Sequence, residues 1–218
     1  MPVRVGLQYI DIWKSSMEDA VRAYEAEEAK QGQIVFYGAS NFTRWSARWQ
    51  HKPLAEVLVG ASGRPCCINR GFGSSCAEHQ LYYYPRMIRP LKPGVLVYSP
   101  TFGNGKAFGY STEENWELAQ RVLMYALTDC PETQMYIEGS GVAQKTTEAD
   151  MPERIEYNSW LQEFAKSHER CTFVDKLAYE PLRRRDIFVE DGIHYNQQGY
   201  DLYADFYREV LKEELAKF

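Results

Sequence analysis

The 218-residue sequence predicts a three-layer α/β/α sandwich around a central parallel sheet of about five strands. Two observations predict it. Short apolar runs recur along the chain, each ending in Gly, Asn, Ser or Asp, and stretches of helical character separate them. A run apolar at every position belongs in a strand buried on both faces. Strands that alternate with helices pair in parallel and are covered on both sides.

The elements follow in order. Residues 3–10, VRVGLQYI, alternate apolar and polar and read as an edge strand or a docking arm. Residues 16–30 read as a polar helix with Ser15 or Ser16 as its cap. Residues 1–32 thus form an N-terminal extension and helix, and 33–218 the main body of a single globular domain. Buried strands are expected at 34–37, 66–69, 94–99, 134–139 and 171–175, with Asp175 as a turn residue. Helices are expected at 75–90, 112–129 and 153–168, and a last one is opened by Asn196 or the residues just after it.

Composition narrows the function. A formal charge of −5 leaves no basic surface for nucleic acid or anionic membrane. The start, MPVRVGLQYIDIWK, carries a charge and no long apolar run, so it reads as neither signal peptide nor membrane span. The cysteines, Cys66, Cys67, Cys76, Cys130 and Cys171, are odd in number and lack C-x-x-C spacing. This argues against a disulfide framework or zinc site and for a reducing cytoplasm. His51, His79, His168 and His194 are scattered, with no metal-ligand spacing, so neither a metal nor an organic cofactor is expected. Nothing in the sequence sets an oligomeric state.

Parallel sheets bind ligands beyond the carboxyl ends of their strands, so the residues just after each strand matter most. The stretch IVFYGASNFTRW, 34–45, runs from a strand straight into Gly38-Ala39-Ser40. Ser40 there reads either as a helix cap or as an exposed hydroxyl beside a helix N-terminus, which favours a developing anion. In VEDGIHYNQQGY, 189–200, Asp191 precedes His194 by three residues. The pair reads as an aspartate orienting a proton-shuttling imidazole, or as a turn aspartate and a surface histidine. The glycines of INRGFGSS, 68–75, can bring backbone N–H groups near a substrate oxygen, and Asn104, between Gly103 and Gly105, carries an amide donor. GNGKAFG lacks the spacing of a phosphate loop, and neither Ser74 nor Ser140 lies in G-x-S-x-G. Phe42, Trp45 and Trp49, like Phe108 and Tyr110, read as an acyl or sugar platform or as core. PLRRRD, 181–186, reads as a clamp for an anionic substrate or, more readily, as a solvated basic surface.

Taken together, four segments resemble the SGNH hydrolases, or GDSL-type esterases, over residues 33–206. FYGASN resembles the F-x-G-D-S-x block, NRGFGSS the N-R-G-x-G-G-S block, and GNGKAFGYSTEE the G-x-N-D-x-x-x-G-x-S-x-E-E block. DGIHYNQQGY resembles D-G-x-H-x-N-x-x-G-Y and is the most specific match. The resemblance implies a flavodoxin-like strand order and a serine hydrolase acting on carboxylic esters. Ser40 would be the nucleophile, His194 the general base and acid, and Asp191 its orienting carboxylate. The oxyanion would rest on the N–H of Ser40, the amide of Asn104, and an N–H at Gly73 or Ser74. The sequence departs from the family at Ala39, where an Asp is usual, at Ser74, where a Gly is usual, and at Gly105, which replaces the Asp after Asn104. Asn104 also falls two residues later after its strand than the pattern has it.

The loops after the strands are rich in glycine, small polar residues and a few aromatics. They suit a short acyl group, acetyl to butyryl, on a small or sugar-like alcohol, with Phe42, Trp45 and Phe108 as substrate contacts. Acyl transfer by the same triad, a lysophospholipase-like esterase and a non-catalytic binding module are the alternatives.

Overall fold

The computed structural model describes residues 7–218. Its centre is a five-stranded sheet of β1 (Ile34–Gly38), β2 (Cys67–Gly71), β3 (Val95–Tyr98), β4 (Gln134–Glu138) and β5 (Cys171–Val174). The order is β2-β1-β3-β4-β5 and every pairing is parallel, the doubly wound arrangement expected. The chain leaves β1 for β2 on one side and returns to β3 on the other. The crevice beyond the ends of β1 and β3 is therefore the topological switch point, where ligands of such sheets bind.

The helices are α1 (Lys14–Glu25), α2 (Ser40–Thr43), α3 (Leu54–Val57), α4 (Ala77–Met87), α5 (Phe102–Ala107), α6 (Thr112–Asp129), α7 (Met151–Lys166), α8 (Gln197–Val210) and α9 (Lys212–Leu215). Side chains alternate across each strand, so each strand feeds two cores. Val35, Tyr37, Leu96, Tyr98, Met135 and Ile137 pack under α1, α4, α6 and α7. Ile34, Phe36, Val95 and Val97 pack under α2, α3, α8 and α9. This two-sided burial explains why β1 and β3 are apolar at every position. Among the described residues no helix is long and apolar enough to cross a membrane.

Three expectations need correction. The first helix begins before Ser15 and Ser16, at Lys14, behind Trp13 with φ 61°. Turns from Tyr9 to Ile12 and from Asp11 to Lys14 start it early, and the Ser16 hydroxyl donates to the Trp13 carbonyl at 2.9 Å instead of capping. The alternating segment 3–10 is no strand over 7–10, where the chain turns and the Tyr9 N–H reaches Glu78 Oε1 at 2.8 Å. Residues 3–6 lie outside the described residues. Of the short helices, α2 answers the helix start expected at Ser40, whereas α3 and α5 are additions, because four to six residues are too few for a helical period to show.

Two features position the strand ends that face the crevice. The first is Glu138, buried at the end of β4. Its Oε1 accepts from Lys176 Nζ at 2.8 Å and from Ser99 Oγ at 2.9 Å, and its Oε2 accepts from the Tyr203 and Tyr207 hydroxyls. One carboxylate thus joins the segments after β3 and β5 to α8. Burial pushes the Glu138 carboxyl up, but Lys176 and the two phenols outweigh it and leave the group below its ordinary range.

The second is a pair of glycines. A Cβ on Gly38 would lie 2.8 Å from the Phe42 ring, and one on Gly71 would lie 2.5 Å from both Phe42 Cβ and the Thr43 backbone nitrogen. Bare backbone at both strand ends lets α2 cross directly over them.

Glu138→Gln leaves the Lys176 ammonium buried without its counter-charge, so urea unfolding at pH 7 should show a loss of roughly 3–5 kcal/mol. Adding Lys176→Met should recover part of it. Because the folded carboxyl is depressed, its contribution is present above the unfolded value near ~4.3 and is lost as pH falls through the lower folded value. A change below about 0.5 kcal/mol in the single variant would contradict this. Gly71→Ala should lower stability by about 1–3 kcal/mol, because the opposing atom is backbone and cannot swing aside. Gly103→Ala, where a Cβ meets nothing within 4 Å, should leave it unchanged or raise it. Equal melting shifts in the two variants would contradict the steric account.

Candidate active site

Ser40 is the first residue of α2, directly beyond β1. The bonds of this turn begin with the N–H groups of Phe42 and Thr43, both reaching the Ala39 carbonyl at 3.1 Å. The N–H groups of Ser40 and Asn41 come earlier, where a helix has no internal acceptor to offer. Two side chains from other elements hold the turn. Asn69 donates to the Phe42 carbonyl at 2.7 Å while its Oδ1 accepts from the Gly71 N–H at 2.9 Å. The Tyr200 hydroxyl donates to the Asn41 carbonyl at 2.9 Å.

Asp191 and His194 share a tight loop between the 3-10 turn at 180–183 and α8. Gly192, at φ 71°, turns the chain, and the Val189 N–H closes the loop on the His194 carbonyl at 2.9 Å. Asp191 Oδ1 accepts from the N–H groups of Ile193 and His194, both at 2.9 Å. Its Oδ2 accepts from His194 Nδ1 at 2.7 Å and from Arg44 Nη1 at 3.0 Å. Partial burial works upward on the Asp191 carboxyl, but the N–H groups of His194 and Ile193 and the His194 ring hold it well below the usual carboxylate range. An ionised Asp191 requires Nδ1 to carry the proton, which leaves Nε2 with its lone pair. His194 is depressed chiefly by burial, against the pull of Asp191, and the Arg44 charge lowers it further. The imidazole is therefore neutral near pH 7 and able to accept a proton.

Ser40 lines a cavity of about 300 Å³ at the switch point, together with Asn104 and with Ile193 and Tyr195, the two neighbours of His194. Asn104, on α5, donates one amide hydrogen to the Ser75 carbonyl at 2.7 Å, and an amide nitrogen carries two. The left-handed Thr101, φ 51°, precedes α5. Gly105 is needed where the family pattern has an Asp, since a Cβ there would lie 1.6 Å from Asn115 Oδ1.

Of the other expected site residues, only Phe42 lines this cavity. Gly73 and Ser74 line a separate groove along β2, with Thr43 and Trp49, and not the Ser40 cavity. Ser74 keeps φ 62°, so the left-handed backbone survives without the glycine, at a strain of about 1–2 kcal/mol. Trp45 is buried in the core, stacked on Tyr203 at 5.1 Å, because the α2 turn directs it toward α8. Phe108 packs against His79 and Tyr9 at 5.4 and 5.9 Å and is absent from the cavity wall.

Sequence reasoning missed Arg44, Asn69, Glu138, Lys176 and Arg154. Asn69 lies inside the NRGFGSS block, and its place at a strand end was the available signal. The other four act through partners distant in the chain, which no local spacing records. Of the basic run 181–186, Arg184 pairs with Asp186, and Arg185 binds the carbonyls of Ala143 and Thr146 at 2.8 and 3.0 Å. Among the described residues no cluster of three or more His, Cys, Asp or Glu can hold a metal ion.

No family model matches the sequence, and none of the curated proteins does. Solved structures share its architecture. A candidate acylhydrolase from Bacteroides fragilis superposes with a TM-score of 0.71 at 15% identity, over 92% of this chain and 98% of that one. A GDSL-like lipase from Bacteroides thetaiotaomicron gives 0.69 at 14% identity, over 92% and 98%. A mutant of an acetyl-xylooligosaccharide esterase from Geobacillus gives 0.63 at 12% identity, over 84% and 95%. The chain has the fold of the GDSL-like lipases and acylhydrolases.

Proposed function

We propose that the protein is a serine hydrolase of carboxylic esters, with Ser40, His194 and Asp191 as its triad. The observation that carries this reading is the Asp191–His194 pair on a loop whose residues line the same cavity as Ser40 and Asn104. Ser40 Oγ attacks the ester carbonyl while His194 Nε2 takes its proton. Negative charge gathers on the carbonyl oxygen, where the Ser40 N–H and the second amide hydrogen of Asn104 stabilise it. The proton then passes from His194 to the leaving alcohol. Water repeats the sequence on the acyl-enzyme and releases the acid. Asp191 stays ionised throughout and fixes the imidazole.

The small cavity supports short acyl groups, acetyl to butyryl, since each further CH₂ needs apolar wall to gain its ~0.8 kcal/mol. The neighbour named as an acetyl-xylooligosaccharide esterase supports acetyl esters of sugar-like alcohols. Five free thiols support a cytoplasmic setting.

An organophosphorus ester reagent should label Ser40 and abolish hydrolysis of 4-nitrophenyl acetate, and Ser40→Ala should be neither labelled nor active. Peptide mass spectrometry that finds the label on another residue, or none on folded protein, would overturn the assignment.

The acid limb of kcat/KM should lie below pH ~6.5, the ordinary histidine value, because His194 must be neutral to accept the Ser40 proton and its pKa is depressed. Arg44→Gln removes a positive charge that lowers this pKa, so the limb should move to higher pH. A pH–rate profile in which the variant's limb stays in place, or moves to lower pH, would show that Arg44 does not act on His194.

A further inference from the structure

Three charged side chains stand in the wall of the cavity that holds Ser40: Glu138, Lys176 and Arg154. Glu138 and Lys176 neutralise each other at 2.8 Å. Arg154 is different. Its Nη1 donates to two neutral oxygens, Ser140 Oγ and the Gly141 carbonyl, the latter at 2.7 Å. Its Nε is buried with no partner. The adjacent acid, Glu153, pairs with Lys106 at 3.0 Å, and Asp150, whose charge is felt by Arg154 through space, is turned back onto the N–H and hydroxyl of Thr147 at 2.7 and 2.8 Å. A guanidinium has five N–H groups and cannot lose its proton, so this cation enters the cavity with donors to spare and, among the described residues, no carboxylate in contact with it.

Its placement is built into the fold. Asn158, one turn further along α7, holds both the N–H and the carbonyl of Ser140, at 2.7 and 3.0 Å. Ser140 and Gly141 in turn hold Arg154, whose guanidinium lies 5.8 Å from the Phe102 ring. Phe102, Ser140 and Gly141 are all cavity wall. Burial pulls the Arg154 pKa below its ordinary value, the mark of a cation stripped of water. A neutral ester offers such a charge only a weak carbonyl acceptor, whereas a carboxylate matches its fork with charge-assisted hydrogen bonds.

We infer that Arg154 recognises a carboxylate on the substrate, so that the preferred esters carry a negative charge on their acyl or alcohol half. The inference rests on the hydrolase reading above only for the word ester; the anion site itself does not depend on it.

The test has a binding arm and a kinetic arm, each with wild type, Arg154→Gln and Arg154→Lys, all verified as folded by circular dichroism. Calorimetry with glutarate should show binding to wild type that weakens about 10- to 100-fold in Arg154→Gln, the scale of a lost charged hydrogen-bond pair, and less in Arg154→Lys. In the kinetic arm, mono-4-nitrophenyl glutarate is compared with 4-nitrophenyl pentanoate, and 4-acetoxybenzoate with its methyl ester. The anionic-to-neutral ratio of kcat/KM should exceed one in wild type for one pair, which identifies the charged half, and fall by a similar factor in Arg154→Gln. Turnover with the same ratio in wild type and variant for both pairs overturns the carboxylate site and leaves the hydrolase standing. Arg154-dependent glutarate binding without turnover of any ester supports the site and overturns the hydrolase. No glutarate binding to wild type overturns the site.

Discussion

The carboxylate of Glu138 sits where the layers of the sandwich meet. Cut off from water at the end of β4, it must find every hydrogen bond inside the protein, and it takes them from the segments after β3 and β5 and from α8. Removing any one donor leaves charge or polarity buried and unmatched. The relative positions of these elements are therefore set by one group. Ser99, Lys176 and Glu138 are also wall of the cavity that holds Ser40, so the interaction that orders this side of the core orders the floor of the site as well.

Where Glu138 acts by charge, the turn after β1 is shaped by the absence of side chains. Gly38 and Gly71 leave bare backbone exactly as wide as Phe42 needs to pass, and the turn then lies close enough for Asn69 and Tyr200 to bind the carbonyls of Phe42 and Asn41. Tyr200 belongs to α8, the helix that also carries Tyr203 and Tyr207 to Glu138. Ser40 is thus tied to the same helix by a short chain of contacts. As the proposed nucleophile, a Ser40 held in this way needs little further ordering when a substrate arrives.

Two arginines near the site illustrate opposite uses of one side chain. Arg44 lies over the Trp49 ring at 4.4 Å and binds Asp191, so its charge is matched and its effect is to tune the imidazole beyond that carboxylate. Arg154 is held, among the described residues, by hydrogen bonds to neutral oxygens. The difference lies in what the fold places opposite each guanidinium, and residue type alone does not reveal it.

The strand pattern was legible because each central strand is buried on both faces, and such strands write their whole length in apolar residues; β1 and β3 are examples. The Asp191–His194 pair was legible because its geometry is local, three residues closed by backbone bonds within one loop. Asn196 was legible as the cap of α8 for the same reason. Trp45 and Phe108 were not, since an aromatic residue after a strand reads alike whether it turns toward a cavity or into a core. Nor was the placement of Gly73 and Ser74, which depends on how the loop after β2 passes α2. By itself, then, the sequence determined the order of the elements, the parallel sheet and the residues that stand at its carboxyl edge, because periodicity, caps and turn residues act over a few neighbours. Tertiary structure alone decided which of those residues share a cavity and which charges are matched there. Those outcomes depend on contacts between residues such as Arg44 and Asp191, 147 positions apart, that only packing brings together.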